Sequence, residues 1–521
     1  MQFDDAQSCE RWVSALPLTN VQAAQLTLAQ QVALLRTSAL PAADILRIVE
    51  TLRPPIAFVQ RELARRYAGR SLPLEPSEAA AWNRAVGLWD DLAATYLVCR
   101  EAHIHGDRLL QDQGALIMMR SLQYSAAAMV EYYRVYRQVP AALWRNVHHL
   151  YVFAEQSGFA QAVVGDPDPD EPITTCQAAY MFALLAQLAN PFALSGRQMG
   201  FVMTWTGKWA GLASLSAEPL PPSSIPALAV DLAGCHGPVF AEGRQPLPSL
   251  RHLGLEQLGR TLRQIITLLK QGQTPAQLGL GDDARQPGCE NLLMLLYIQW
   301  CRAGTARDEP RNTAEDKAQV CLGMHASHFH VSSRAFRAPG ASLTRQEEHD
   351  MQLFGHISDR TERMLASGQS SAVESWDLIN QSTSGFLCMM RDPDAQMRIS
   401  NNQLVSVRRT SGKAFYLGIV QWLRMEESNE MYLGIRLFPG IPRAVAVRPA
   451  NFNMPGITGY ERGLLLPEIA APATPVTVVL PSGWFQAGRF IELHAEQKQV
   501  AKLVSLLEKG SDFDRCTVSL T

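Results

Sequence analysis

Several features that would assign a function directly are scarce in this sequence of 521 residues. Charged residues make up only 18% of it, and 47 lysines and arginines are nearly balanced by 49 aspartates and glutamates. The formal net charge of -2 excludes the strong basic excess of a general nucleic-acid-binding protein. A local basic pocket is still compatible with this balance.

Cysteine is present but follows no recognisable pattern. The nine cysteines are scattered, their number is odd, and no two of them form a CxxC motif. This distribution indicates neither a disulfide framework nor a zinc site, and it is typical of buried thiols in a reducing compartment. We therefore predict a cytoplasmic protein.

Long hydrophobic runs are missing as well. The first residues, 1–7, are acidic and lack the basic and apolar regions of a secretory signal. The most apolar stretch, 178–194, is interrupted by Gln187, Asn190 and Pro191 and falls short of the ~20 clean apolar residues of a membrane span. We expect no membrane span.

The sequence also lacks the usual catalytic signatures. It contains no Gly-rich phosphate loop, no HExxH or GxSxG motif and no paired Ser/His/Asp signature. His325, His328 and His330 lie close together, but no fourth ligand with suitable spacing stands nearby, so we interpret them as packing residues of a barrel strand. The prediction is a protein that is not an enzyme, with no catalytic residues, no metal and no cofactor.

The first part of the chain has a helical pattern. From residue 1 to about 220, apolar residues recur every three or four positions, and Pro and Gly clusters interrupt them. This predicts an all-α bundle or array over 1–220, in which 41–52 and 55–68 are separate helices. Residues 221–304 follow as a mixed, mainly helical connecting region with a strong amphipathic helix at 254–271.

Further along the chain the pattern changes to strands separated by turns. Six strand-like runs lie at residues 320–326, 376–379, 403–409, 414–425, 431–438 and 443–447. Together they predict one six-stranded barrel over 305–450, with an insertion at 331–370. Residues 451–521 add a β-rich extension, in which we expect 500–507 to form a hairpin rather than a helix.

Two short motifs belong to this β-rich region. Arg307 and Arg311 form an RxxxR pair in a polar segment, and Asn380, Ser382 and Gly385 form an NxSxxG turn after a short strand. A guanidinium group is a planar fork that pairs with two phosphate oxygens or with O6 and N7 of guanine. In a turn, Asn and Ser offer short donors and acceptors, and Gly lets a flat ligand or another backbone come close.

In this order and context the motifs resemble those of the PilZ domains, which bind the bacterial second messenger cyclic di-GMP. The resemblance implies a small barrel with the arginines on an arm ahead of its first strand, where they hold the phosphates and guanine, while Asn380 and Ser382 hold guanine from the barrel. The family usually has a shorter interval between the motifs, and the insertion at 331–370 lengthens it here. Arg61 and Arg65 match RxxxR too, but on a predicted helix, where they mark a solvated face.

We therefore predict a multidomain α+β protein, an all-α N-terminal region followed by a C-terminal PilZ-like antiparallel β-barrel. By resemblance it is a bacterial cyclic di-GMP receptor and effector, with an unidentified protein partner for its helical region. The ligand-binding residues are then Arg307, Arg311, Asn380, Ser382 and Gly385. Two alternatives stay open: a nucleotide-independent scaffold with a degenerate barrel, and an enzyme whose active site lies in the helical half.

Overall fold

The computed structural model describes residues 3–165, 172–243, 245–302, 312–358, 360, 372–391, 397–450, 459–469, 474–495 and 497–520. The chain divides into two compact units. The first consists of Met1–Arg70 and Leu74–Ala306, and the second of Ser71–Pro73 and Arg307–Thr521.

The first unit begins with a run of helices whose apolar faces pack together. They are α1 (Ala6–Ser14), α2 (Val21–Arg36), α3 (Ala42–Ala64), α4 (Pro76–Ile104), α5 (Gly114–Arg134), α6 (Ala141–Gln156), α7 (Cys176–Leu188) and α8 (Gly196–Trp209). One core, which includes Leu28, Val49 and Leu92, joins α2 to α4, and a second core, which includes Tyr180 and Trp205, joins α7 to α8. The helical N-terminal region is therefore present, although strand β1 (Ser214–Ser216) shows that the all-α assignment to 1–220 extends too far.

Helix α3 is longer than the sequence pattern predicts. Separate helices over 41–52 and 55–68 are wrong, because α3 continues through Pro54 and Pro55. A proline in a helix interior costs roughly 3 kcal/mol, since it removes a hydrogen bond and crowds the preceding turn. Leu52, Ile56 and Val59 are buried on both sides of the prolines. Full burial of each such side chain contributes about 1.5–3 kcal/mol, which is enough to offset this cost.

The first unit ends in a small antiparallel sheet and two more helices. These elements are β1 (Ser214–Ser216), β2 (Leu228–Asp231), β3 (Val239–Phe240), β4 (Leu250–Gly254), α9 (Glu256–Lys270) and α10 (Gly288–Cys301). Helix α9 confirms the amphipathic helix predicted at 254–271. On α10 the Trp300 indole donates a hydrogen bond of 3.0 Å to the Leu185 carbonyl of α7, so these helices share one core. In the described part of the chain, none of the helices combines the length and hydropathy needed to cross a bilayer.

The second unit contains two closed barrels, where the sequence predicts one barrel and an extension. The first barrel consists of β5 (Asn312–Leu322), β6 (Glu374–Gln381), β7 (Gly385–Met390), β8 (Leu404–Arg409), β9 (Tyr416–Met425) and β10 (Met431–Leu437). Its strand order is β10-β7-β6-β5-β8-β9, and all neighbours are antiparallel. Trp376, Leu378, Cys388 and Leu433 are among its buried side chains.

The second barrel begins with the strand that we assign to the first barrel from the sequence. Its strands are β11 (Arg443–Pro449), β12 (Glu461–Leu466), β13 (Thr477–Pro481), β14 (Phe490–His494), β15 (Lys498–Lys509) and β16 (Phe513–Leu520), in the order β11-β12-β13-β16-β15-β14. The assignment of 443–447 to the first barrel is therefore wrong, because β11 pairs with β12 and β14 while β10 pairs with β7 and β9. The hairpin predicted around 500–507 is confirmed by the pairing of β15 with β16.

The connection from β5 to β6 contains two helices, α11 (Gly323–Ser332) and α12 (Arg345–Phe354). The strand predicted over 320–326 ends at Leu322. Gly323 has a φ of +75°, a left-handed conformation that interrupts the extended chain at low cost only in glycine. Residues predicted as the end of the strand therefore form the first turn of α11.

The two barrels and α11 share a hydrophobic core. Met324 of α11 packs with Leu417 of the first barrel, with Leu464 and Phe513 of the second, and with Phe438, which follows β10. The rings of Phe438 and Phe513 are 5.8 Å apart between centroids. The second unit is therefore built around an interior to which both barrels contribute.

Candidate functional site

The residues of the NxSxxG motif lie on the hairpin between β6 and β7. The Ser382 N–H donates to the Gly385 carbonyl at 2.9 Å and closes the turn, and the Leu437 N–H donates to the Ser384 carbonyl at 2.8 Å. The second of these hydrogen bonds joins the turn to the end of β10. The motif therefore lies on a fixed edge of the first barrel, as expected for its turn chemistry.

A β-bulge sets the direction of Asn380. The pairing of β6 with β7 shifts between Leu378 and Asn380, so Ile379 is the extra residue. Leu378 is 1% exposed and faces the barrel interior. Because of the extra residue, Asn380 pairs with Leu387 on the outer face instead of following Leu378 inward. The bulge thus presents a carboxamide on the outside of the barrel.

Gly385 is required by a backbone contact. It pairs with Arg436 of β10, and a Cβ built on it would lie 2.6 Å from the Ile435 carbonyl oxygen. Its φ is outside the left-handed region that favours glycine. The close approach of β10, rather than the handedness of the turn, therefore excludes a side chain here.

The outer face beside the hairpin also carries an indole that no sequence motif indicates. Leu387 pairs with Gly434 of β10, which in turn pairs with Trp422 of β9. A Cβ on Gly434 would lie 2.0 Å from Trp422 Nε1, so the half-buried ring lies across this glycine. Asn380, Leu387, Gly434 and Trp422 therefore form one row across neighbouring strands, and an exposed aromatic face in such a row is a surface on which a nucleobase can stack.

Arg436 adds positive charge next to Gly385. Its Nη2 contacts Glu508 Oε1 at 2.6 Å, and its Nε donates to Gln421 Oε1 at 3.1 Å. Arg515 Nη1 lies 3.5 Å from the other oxygen of Glu508. These two guanidinium groups and one carboxylate together carry a net positive charge, which favours an anionic ligand beside Arg436.

The first barrel begins beside the same hairpin. Asn312 pairs with Gln381, and Thr313 pairs with Asn380. Asn312 directly follows Arg311 in the sequence, whereas Arg307 and Arg311 themselves lie outside the described residues. Strand pairing therefore brings the start of β5 to the edge that carries the NxSxxG motif, although a long connection with two helices separates β5 from β6.

The histidines singled out in the sequence lie on helix α11 rather than on a strand. Burial lowers the pKa of His325 and lowers that of His328 to about 4. Within the described ranges, no group of three or more His, Cys, Asp or Glu residues is arranged to hold a metal ion. The packing interpretation of these histidines therefore agrees with the burial of His328, which is 6% exposed.

Two family models and one curated protein are similar to this chain. Residues 7–221 match a model described as "Cyclic-di-GMP receptor FimW, N-terminal domain", and residues 445–521 match "FimW C-terminal beta-barrel domain". The Cyclic-di-GMP receptor FimW of Pseudomonas aeruginosa is 23% identical to the chain over 554 aligned positions, which cover 96% of the chain and 88% of that protein. The similarity to a receptor thus extends over nearly the whole chain, including the first barrel that lies between the two family matches.

Proposed function

We propose that the protein is a bacterial cyclic di-GMP receptor and that its first barrel binds the nucleotide as a PilZ domain does. The similarity to FimW supports the choice of ligand. The pairing of Asn312 with Gln381 supports the choice of site, because it brings the start of β5, which directly follows Arg311 in the sequence, to the edge that carries the NxSxxG motif. A receptor of this kind binds its ligand without transforming it, in agreement with the missing catalytic signatures.

The chemistry of the edge suits the two guanines and two phosphates of this ligand. The Asn380 carboxamide and the Ser382 hydroxyl offer hydrogen bonds to a guanine edge, and Trp422 offers a stacking surface. Arg311 directly precedes Asn312 in the sequence, and in this proposal its side chain extends to the hairpin. The guanidinium groups of Arg307 and Arg311 then hold phosphate oxygens and the Hoogsteen edge of guanine.

Ligand binding is coupled in this proposal to the helical region. The segment with Arg307 and Arg311 follows the last helix of the first unit and precedes β5, so it connects the two units in sequence. A ligand that prefers one arrangement of this segment by roughly 3 kcal/mol shifts the populations by more than a hundredfold. The helical region then presents a changed surface to a protein partner.

Calorimetric titration of the full chain with cyclic di-GMP tests the ligand and the site together. We expect saturable binding by the unmodified protein and binding roughly 5–150 times weaker in Arg311→Ala, because a charge-assisted bidentate contact contributes about 1–3 kcal/mol. Arg61→Ala is the matched control, since Arg61 belongs to an RxxxR motif too but is exposed on α3.

Two other outcomes of the titration would contradict parts of this proposal. Equal titration curves for the unmodified protein and Arg311→Ala would contradict the assigned site. If the unmodified protein did not bind the nucleotide at all, the scaffold with a degenerate barrel would replace the receptor.

A further inference from the structure

A groove of about 930 Å³ lies between α11 and the edge of the second barrel. One wall consists of α11 and residues 332–341, and the other consists of the start of β11 and the end of β14. Strand β11 pairs with β12 from Arg443 onward but with β14 only from Ala446 onward. Residues 443–445 therefore have no β14 partner, and their free strand edge borders the groove. The groove thus results from the strand pairing of the second barrel.

The charged side chains that line this groove are arginines. Arg334, Arg337, Arg443 and two histidines line it, and no acidic residue is found among its described lining residues. Arg337 is paired with the buried Glu347 at 2.7 Å. For the exposed side chains of Arg334 and Arg443, the described part of the chain provides neither an ion pair nor a hydrogen bond. Two guanidinium groups at the groove thus retain their full capacity for binding an anion.

An aromatic ring and a buried imidazole lie deeper in the same groove. Phe336 packs edge-on against His328 at 5.3 Å between ring centroids, and the Arg462 guanidinium lies 4.7 Å from the Phe336 centroid. His328 is 6% exposed and hydrogen-bonds to the Val445 backbone, but its Nδ1 has no partner among the described residues. In the neutral imidazole this nitrogen is an acceptor, and its lack of a partner costs free energy that a ligand with a hydrogen-bond donor would recover.

We propose that this groove is a second ligand site, separate from the β6–β7 hairpin, and that it binds a small anionic molecule with phosphate groups. Forked guanidinium groups bind phosphate oxygens in pairs, and the described lining residues include no carboxylate that would repel a phosphate. The volume lies within the roughly 300–1,000 Å³ of small-molecule sites and accommodates a nucleotide-sized ligand. Because Arg334 follows α11 and Arg443 begins β11, a bound phosphate connects the two walls.

Titration of the full chain with inorganic pyrophosphate tests this site with a defined probe. We expect saturable binding by the unmodified protein and at least roughly tenfold weaker binding by the double variant Arg334→Gln/Arg443→Gln, which loses both forked contacts. Both side chains are exposed, so the double variant should fold, which circular dichroism verifies.

One further variant and a second titration test whether pyrophosphate binding is confined to this groove. Arg345→Gln removes an exposed arginine of α12 that is not among the lining residues of the groove, and it should bind pyrophosphate like the unmodified protein. The double variant Arg334→Gln/Arg443→Gln should still bind cyclic di-GMP like the unmodified protein, which distinguishes this groove from the proposed cyclic di-GMP site. Absence of saturable pyrophosphate binding, or equal weakening by Arg345→Gln, would overturn the proposal.

A phosphate group can also belong to a lipid. Sedimentation with phosphatidylglycerol vesicles tests this source, and we expect the protein to stay in the supernatant. If it sedimented with the vesicles and the double variant did not, a membrane lipid would replace the small soluble ligand.

Discussion

Replacement of Gly385 by alanine perturbs the closest backbone approach at the candidate site. The new methyl group would lie 2.6 Å from the Ile435 carbonyl oxygen, whereas ordinary contacts begin at 3.4 Å. This oxygen belongs to the backbone of β10 and cannot rotate away, so β7 has to move. The movement would strain the adjacent hydrogen bond from the Leu437 N–H to the Ser384 carbonyl.

The size of the effect follows from known costs of overpacking. An extra methyl group without space typically costs about 1–3 kcal/mol. Because about 1.4 kcal/mol corresponds to a factor of ten, local opening of β7 from β10 should become roughly 5–150 times more frequent. Binding of cyclic di-GMP should weaken as well, since the turn that carries Ser382 moves with β7.

Amide hydrogen exchange of the protein without ligand measures this opening directly. We expect faster exchange in β7 and β10 of Gly385→Ala and unchanged exchange in the first unit. Gly459→Ala is the matched control in the same unit, because a Cβ on Gly459 has no atom within 4 Å and its φ is not left-handed. Unchanged exchange of β7 and β10 in Gly385→Ala would refute the close approach as the reason for this glycine.

Three other predictions concern binding, pH and coupling. Trp422→Ala should weaken cyclic di-GMP binding by a stacking contribution of about 1–3 kcal/mol, while Tyr416→Ala, at the exposed start of the same strand, should leave calorimetric titrations unchanged. The pKa of Glu492 is lowered from 4.5 to about 2, mainly by the hydrogen bond from Arg448. The second barrel should therefore lose stability as the pH falls from about 4.5 to 2, which thermal unfolding measures. In Glu492→Gln this loss of stability should be smaller. Cyclic di-GMP should protect residues 300–315 from hydrogen exchange and change the small-angle scattering of the full chain; binding with neither change would contradict the coupling of the two units.

Local pattern is sufficient to predict most elements of the fold, because helices and strands follow from the spacing of apolar residues. Local pattern is insufficient to predict which barrel a strand belongs to. The run 443–447 has the alternation of a strand, but nothing within it specifies whether it pairs with β10 or with β12 and β14. Likewise, the prolines of α3 are local signals of a break, and only the core around them explains why the helix continues.

In the candidate site, too, some features follow from local sequence and others depend on strand pairing. The turn at Ser382 and Gly385 follows from its residue types, whereas the outward direction of Asn380 depends on a bulge at Ile379 that appears only in the pairing of β6 with β7. Trp422 is distant from the motif in sequence and becomes its neighbour across two intervening strands. The roles of the five residues predicted to bind the nucleotide stay predictions, and titration of Arg311→Ala tests the first of them directly.

The core shared by the two barrels limits where the second unit can be cut and whether one barrel can be exchanged alone. The match to the C-terminal family begins at residue 445, after the start of β11. A chain cut there would leave Leu464 and Phe513 without Phe438 and Met324, their partners in the shared core. Exposed apolar surface of this kind promotes aggregation. Recombination that exchanged one barrel without a complementary change in the other would carry the same penalty, so selection should keep the two barrels together as one heritable module.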